Sequence, residues 1–317
     1  MTPPGPPSPP DRPPGTLPAS RAASATVGAE PPPPELAPVK GRDGCPRCQG
    51  AGYVIEPEGD RAVARLCTCL PVCPRCHGSG RVTVVRGGVP LTGRCRCQQL
   101  PDRIEHWHFA QVPARHAQAT LHGFFAGTFQ HDDPVKRRAL LEGVNPWLEA
   151  FDPARRDNRG LVLHGPVGRG KTHLLVGILR ELVFAHGVVV RFVEFSRLLG
   201  QLKERYSRGQ GDTQLLGELA EVPVLAIDEL GKGRVTDWEL AIIDEVISRR
   251  YNAMRTTLAT TNYAPRVASG IRDVNLAVVD ESPQTLGDRV GDRVFSRLRE
   301  MCSFVEVGGL DMRPLLG

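Results

Sequence analysis

Aromatic residues are scarce in this 317-residue sequence, at 5% of the chain, and only one cysteine, Cys302, lies outside a single cluster. There is no basic N-terminal start followed by an apolar run of the length a secretory signal needs, so export is not expected. No uninterrupted apolar stretch reaches the length of a membrane span either, because the most apolar window, 174–190, is broken by Arg180, Glu181 and His186. A strong excess of one charge is also missing. The formal net charge is +5, too small for a generally cationic nucleic-acid binder. These absences predict a cytoplasmic protein with no membrane partner, in a compartment where thiols stay reduced and clustered cysteines bind metal rather than form disulfides.

What the chain does contain is unevenly placed. Fourteen of its 29 prolines fall in the first 40 residues. A stretch so poor in large apolar side chains buries too little surface to offset backbone ordering, so residues 1–44 are expected to be a disordered, polyproline-like tail. Eight of the nine cysteines fall between Cys45 and Cys97. Cys45, Cys48, Cys67 and Cys69 recur 28 positions later as Cys73, Cys76, Cys95 and Cys97, and CPRCQGAG at 45–52 recurs as CPRCHGSG at 73–80, which marks an internal duplication. Each unit reads Cys-x2-Cys-x18-Cys-x-Cys, four soft thiolates suited to tetrahedral Zn²⁺. β-type runs such as Val82–Val85 between the pairs suggest one hairpin per unit. Units this short lie below the roughly 40 residues at which chains usually need a metal or disulfides to fold. Two zinc ions per chain are therefore expected, and their thiolates would lower the formal charge to about +1. Redox-active dithiols are the competing reading.

The expected organisation is the tail (1–44), a duplicated zinc module (45–100), a linker (101–131) with a helix-compatible piece at 104–109, and one nucleotide-binding domain (132–317). Asp133 and Pro134 form a good helix start, with the helix running towards Phe151. Strands at 160–164, 188–195, 222–227, 257–261 and 304–307 then alternate with helices at 171–185, 197–206, 238–252 and 288–301. Such alternation predicts an α/β fold with a largely parallel sheet flanked by helices.

GPVGRGKT at 165–172 fits G-x-x-x-x-G-K-[ST] between a strand-like LVLH and a helical pattern, the context in which that motif binds phosphate. Gly165, Gly168 and Gly170 allow a tight turn whose amides point inward, where the helix dipole also favours an anion. Pro166, Val167, Arg169 and His173 complete the candidate nucleotide loop. Lys171 is expected on the β and γ phosphates, and the Thr172 hydroxyl on Mg²⁺. VLAIDEL at 224–230 supplies a buried strand that places Asp228 at its carboxyl end as a second Mg²⁺ ligand. Glu229 is then the candidate base for the attacking water, against the plainer reading of a solvated loop acid. TLATTNY at 257–263 ends at Asn262, whose amide could hydrogen-bond the γ phosphate or the water, or simply form a turn. Arg293 and Arg297, four apart on one helical face, are either solvated or offered to a neighbour's γ phosphate.

GPVGRGKTHLL, LAIDELGK, EVISRRYNA, TTNY, GDRVFSRLREM and GGLDMR together resemble the AAA+ ATPases of the bacterial replicative-helicase loaders, DnaC and DnaI, and the related IstB transposition ATPases. The resemblance spans about residues 110–313. It implies a five-stranded parallel P-loop sheet in the order 5-1-4-3-2, ATP and Mg²⁺ at subunit interfaces, and self-association through the ATPase domain. It further implies a weak or partner-stimulated ATPase, Asn262 as sensor 1 and Arg297 as arginine finger with Arg293 next, and a hexameric replicative helicase and single-stranded DNA as partners. The CPRCxGxG repeats are similar to the cysteine-rich region of DnaJ chaperones, which has four such motifs where this chain has two, and no His-Pro-Asp signature occurs. Three functions stay open: a helicase loader, an IstB-like transposition helper, and a zinc-dependent chaperone-like binder whose nucleotide site is regulatory.

Overall fold

A computed structural model describes residues 40–127, 134–209, 213–233, 236–265 and 284–308. Nearly all of the proline-rich tail, the start of the 133–151 helix, most of the 264–287 loop and most of GGLDMR lie outside the described residues.

Two antiparallel hairpins come first. β1 (Tyr53–Glu58) pairs with β2 (Arg61–Leu66), and β3 (Arg81–Arg86) pairs with β4 (Val89–Arg94). Helices α1 (Gln99–Ala110), α2 (Leu121–Gly127) and α3 (Pro134–Ala150) follow, then β5 (Gly160–His164) and α4 (Lys171–Phe184). Next come β6 (Val190–Glu194), α5 (Phe195–Ser207), α6 (Thr213–Glu221), β7 (Val224–Asp228), α7 (Asp237–Asn252) and β8 (Thr256–Thr261). α8 (Leu286–Val290), α9 (Asp292–Met301) and β9 (Cys302–Glu306) close the described chain. The sheet runs β6-β7-β8-β5-β9 with every pairing parallel. Numbered within the sheet, this is the expected order 5-1-4-3-2.

Alternation along the central strands divides the core in two. Leu161, Leu163, Val224 and Ala226 face a cluster that includes α1, α4 and the first hairpin. Val162, Leu225 and Ile227 face one built from α5, α6, α7 and α9. Both faces of the sheet are therefore covered, as a parallel sheet requires. Cys302 is 1% exposed in the second cluster, where it packs as a small apolar side chain.

The segment after the zinc module contributes more than a connector. α1 is longer than the expected 104–109 piece, and its Trp107 is 1% exposed with the indole N–H donating to the Ala62 carbonyl of β2 at 2.8 Å. The helix expected at 288–301 is two helices joined at Gly291, whose φ of 81° breaks the run. α6 was not legible from the sequence; its Leu216, Leu219 and Ala220 are buried in the second cluster.

Candidate functional site

The loop from β5 to α4 rises from the sheet's carboxyl edge. Gly165 there has φ 141°, and a Cβ would stand 2.5 Å from the Val307 carbonyl oxygen, so no other residue fits. Gly170 caps α4 at φ 76°. The first amides of α4 lack intrahelical partners and favour an anion at the helix start. The loop borders a cleft of about 360 Å³, which Glu229, Thr260 and Asn262 also line. Lys171 Nζ lies across the turn, donating to the carbonyls of Gly165 at 2.7 Å and Pro166 at 2.6 Å. Arg169, also lining the cleft, buries Nε and Nη1 with no hydrogen-bond partner. Orphaned cationic donors beside a glycine-rich turn fit a phosphate-bearing ligand.

Asp228 ends β7, buried at 3% exposure. Its carboxylate accepts from the Thr172 hydroxyl at 2.9 Å and from the Thr260 hydroxyl at 2.6 Å. Burial pushes the Asp228 carboxyl above its ordinary range, while the Thr260 and Thr172 hydroxyls pull it back. A carboxylate and a hydroxyl meeting at one point make a hard-oxygen pair that fits Mg²⁺.

Glu229 follows in the left-handed region at φ 56°, an unfavourable conformation for a glutamate. Its amide donates to Thr260 Oγ1 at 2.9 Å. Its carboxylate is ion-paired at 2.5 Å with Lys232. Thr260 thus ties both acids to the end of β8, and neither Thr260 nor Lys232 was singled out by the sequence. Thr260 sits in the quoted TLATTNY run, two residues before Asn262, which was the available signal.

Arg115 and His116, on a short turn at Ala114–His116, also line the cleft. Arg115 Nε donates to His116 Nε2 at 2.9 Å. Burial, then the charge of Arg115, pushes the His116 imidazole down to about 4, so it is neutral at neutral pH. No motif marks these two residues, and the fold alone delivers them. His173, in the first turn of α4, has its imidazole pushed below its ordinary range by burial.

Arg297 sits apart from this cleft. It donates to Asp244 Oδ1 at 2.8 Å and Ser248 Oγ at 2.7 Å on α7, and its side chain is 19% exposed. Arg293, one turn earlier, is 72% exposed and 3.5 Å from the same carboxylate.

The cysteines gather as the spacing predicts. Cys45, Cys48, Cys67 and Cys69 form one cluster and Cys73, Cys76, Cys95 and Cys97 another, with all sulfurs of each within 4.8 Å of one another. Four Zn–S bonds of about 2.3 Å in a tetrahedron would set the sulfurs about 3.8 Å apart. The Cys45–Cys67 and Cys73–Cys95 sulfurs are each 3.8 Å apart, and Cys48–Cys69 and Cys76–Cys97 are 3.3 and 3.5 Å apart. Backbone amides of Cys48 and Arg47 lower the Cys45 thiol to about 6, whereas Cys69 of the same cluster, against the pull of the Arg42 backbone, is pushed up to about 12 by burial and the other three sulfurs. The donor sets fit zinc.

Residues 153–313 match the profile described as IstB-like ATP binding protein. The chain belongs to this family. It is 28% identical over 155 residues to the replicative helicase loader DnaC of Escherichia coli K12, an alignment covering 49% of this chain and 56% of that protein. It is 34% identical over 171 residues to the protein YdaV of the same organism, covering 54% and 67%. A crystal structure of the DnaC helicase loader aligns with a TM-score of 0.48 at 27% identity, over 61% of this chain and 99% of that one. The chain spans about half the length of the DnaC proteins it matches. Among the described residues no helix is long and apolar enough to cross a membrane.

Proposed function

We propose that this chain hydrolyses ATP and acts in DNA replication as a loader of a hexameric replicative helicase, with a slow basal turnover that a partner raises. The observation that carries the ATPase reading is the 2.9 Å contact between Thr172 and Asp228 beside Glu229 in the cleft bordered by the phosphate loop. In this reading the loop amides, Lys171 and Arg169 bind the phosphates, and Thr172 and Asp228 hold Mg²⁺. The bound ion would neutralise charge developing on the transferred phosphoryl group. Glu229 accepts the proton of the attacking water, which Asn262 orients. The Glu229 carboxylate is held by Lys232 and has to give up that contact to take the proton of the attacking water, which supports a low basal rate. Arg297, or Arg293, acts on the neighbour's nucleotide when subunits associate; for Arg297 this requires leaving Asp244. The two cysteine clusters hold one zinc each, and the module they build is the helicase-docking part. Single-stranded DNA passes along the assembled ATPase domains.

Glu229→Gln should keep ATP binding and lower turnover by about a hundredfold or more, the usual scale for losing a general base; an unchanged rate would remove Glu229 from that role. Lys171→Ala should abolish nucleotide binding. The loader reading is tested by mixing the purified chain with the replicative helicase of the same cell: absence of a complex with ATP present would overturn it. The IstB-like profile favours a second reading, a transposition helper. A complex with a transposase and none with the helicase would establish that instead.

A further inference from the structure

The two hairpins carry their apolar faces on opposite sides. Directly paired residues of an antiparallel ladder share a face. In the first hairpin the pairs Tyr53–Leu66, Ile55–Ala64 and Pro57–Ala62 form one face, with Ile55, Ala62 and Ala64 buried against the ATPase core. The duplication places Arg81, Thr83, Val85, Pro90, Thr92 and Arg94 at those positions in the second hairpin. That face is too polar to dock in the same way. Most apolar side chains lie on the other face: Val84 pairs with Leu91, Val82 leads from them to the cysteine cluster, and Val89 lies at the turn, while Val85, paired with Pro90, stays exposed on the first face. In the first hairpin these positions hold Glu56, Val63, Val54 and Arg61. Val84, Val89 and Leu91 are 37%, 57% and 47% exposed. Nothing in the described chain covers them.

Charge identifies what does. Residues 71–101 contain five arginines and no aspartate or glutamate, whereas residues 41–70 hold four arginines and four acids. From these we infer that the Val84–Leu91 face of the second hairpin is the docking surface for an acidic amphipathic protein segment, whose apolar side chains cover Val84, Val89 and Leu91 and whose carboxylates answer the unbalanced positive charge of this unit, although Arg81 and Arg94 stand on the opposite face and Arg94 is paired with Asp102. A second copy of the hairpin fits less well as occupant because it carries the same unbalanced positive charge. Nucleic acid fits less well, since residues 71–101 contain no Phe, Tyr or Trp on which a base could stack, and an apolar ridge contributes nothing to phosphate binding. This deepens the loader reading and rests on it only in naming the helicase as the bearer of that segment.

The test uses the full chain carrying Val84→Glu and Leu91→Glu together, with Val84→Ser and Leu91→Ser as a milder pair. Two zinc ions by native mass spectrometry and an unchanged basal ATPase rate certify the fold. The expected result is loss of affinity for the purified replicative helicase by at least about tenfold, the scale of a lost interface anchor. Unchanged helicase affinity in both variants overturns the inference and leaves the loader reading standing. Should the wild-type chain not bind the helicase, the loader reading fails, and a labelled Leu/Glu amphipathic helical peptide decides the surface. Binding of that peptide, weakened by Leu91→Glu and by replacing its glutamates with glutamine, upholds the inference. Hairpin-dependent binding of oligothymidine or hairpin-dependent self-association in place of the peptide overturns it, as does no peptide binding at all.

Discussion

The duplicated units share their metal-binding frame and differ in what their hairpins touch. The first is pinned to the ATPase core. Tyr53 stacks on Phe184 of α4 with ring centroids 3.8 Å apart, Trp107 and His108 of α1 bond to the Ala62 and Ala64 carbonyls, and Gln118 bonds to the Ile55 carbonyl at 3.1 Å. The second is tied to α1 through Arg94 and Asp102 at 2.6 Å, both of them exposed. Because the four cysteines recur at the same spacing, the contrast arises from the strands between them. A two-residue period means that the same face-by-face substitution, Ile55 against Thr83 and Glu56 against Val84, turns an inward apolar stripe into an outward one. Duplication thus produced one hairpin that is part of the ATPase domain and one that leaves its apolar face to solvent.

The largest effect expected to separate the two copies comes from their metal sites. Cys45→Ser and Cys73→Ser should each reduce zinc to one per chain. Losing the first site releases a hairpin whose inner face is part of the main core, so Cys45→Ser should lower the melting temperature of the ATPase transition by about 5–10 °C, a few kcal/mol for a domain of this size. Cys73→Ser should leave that transition within about 1 °C, since surface changes away from a core rarely exceed about 0.5 kcal/mol. Equal shifts in differential scanning calorimetry would erase the distinction. A smaller effect tests the same contrast without touching metal. Ile55→Ala removes side-chain atoms that are 5% exposed and should cost about 2–3 kcal/mol in urea unfolding, at the lower end for buried large-to-small changes. Its counterpart Thr83→Ala, on an exposed position, should fall within about 0.5 kcal/mol.

Much of the nucleotide domain is legible in the sequence because its signals are local. A strand, a glycine-rich turn and a helix in succession identify the phosphate loop, and an apolar run ending in two acids places Asp228 and Glu229. Thr260, Arg115 and His116 reach the cleft through pairing of β7 with β8 or through the path of the chain after α1. Neither leaves a fixed spacing to read. Arg250 illustrates the same limit. It is fully buried on α7, where its guanidinium donates to the Leu219, Val222 and Thr256 carbonyls at 2.7, 2.9 and 2.5 Å. Within the quoted RRYNA run nothing distinguishes it from its exposed neighbour Arg249, because the receiving carbonyls belong to the end of α6 and the start of β8. The cysteine spacing marked both cysteine quartets at once, yet period-two alternation does not say which face of a hairpin meets a core built from helices far along the chain. The inversion between the copies became readable only after the first hairpin was seen against α1 and α4.

The smallest effect asks whether the first hairpin is held by apolar burial alone or also by a specific side-chain pair. Arg180 on α4 stands over the Tyr53 ring at 5.4 Å, and its Nε lies 3.3 Å from the Tyr53 hydroxyl. Burial raises the Tyr53 phenol above its ordinary range, with the Arg180 charge opposing that rise. The phenol therefore stays neutral at physiological pH, and the pair is a cation over a ring rather than an ion pair. The equivalent position in the second hairpin is Arg81, which offers Arg180 no ring and would repel it. A double-mutant cycle with Arg180→Ala and Tyr53→Leu should give a coupling of about 1 kcal/mol, between the values for exposed and desolvated cation–π contacts. Strict additivity would mean that Tyr53 anchors the hairpin through its stacking on Phe184 and its buried area alone. The contrast between the copies would then reduce to which face is apolar, with no contribution from charge.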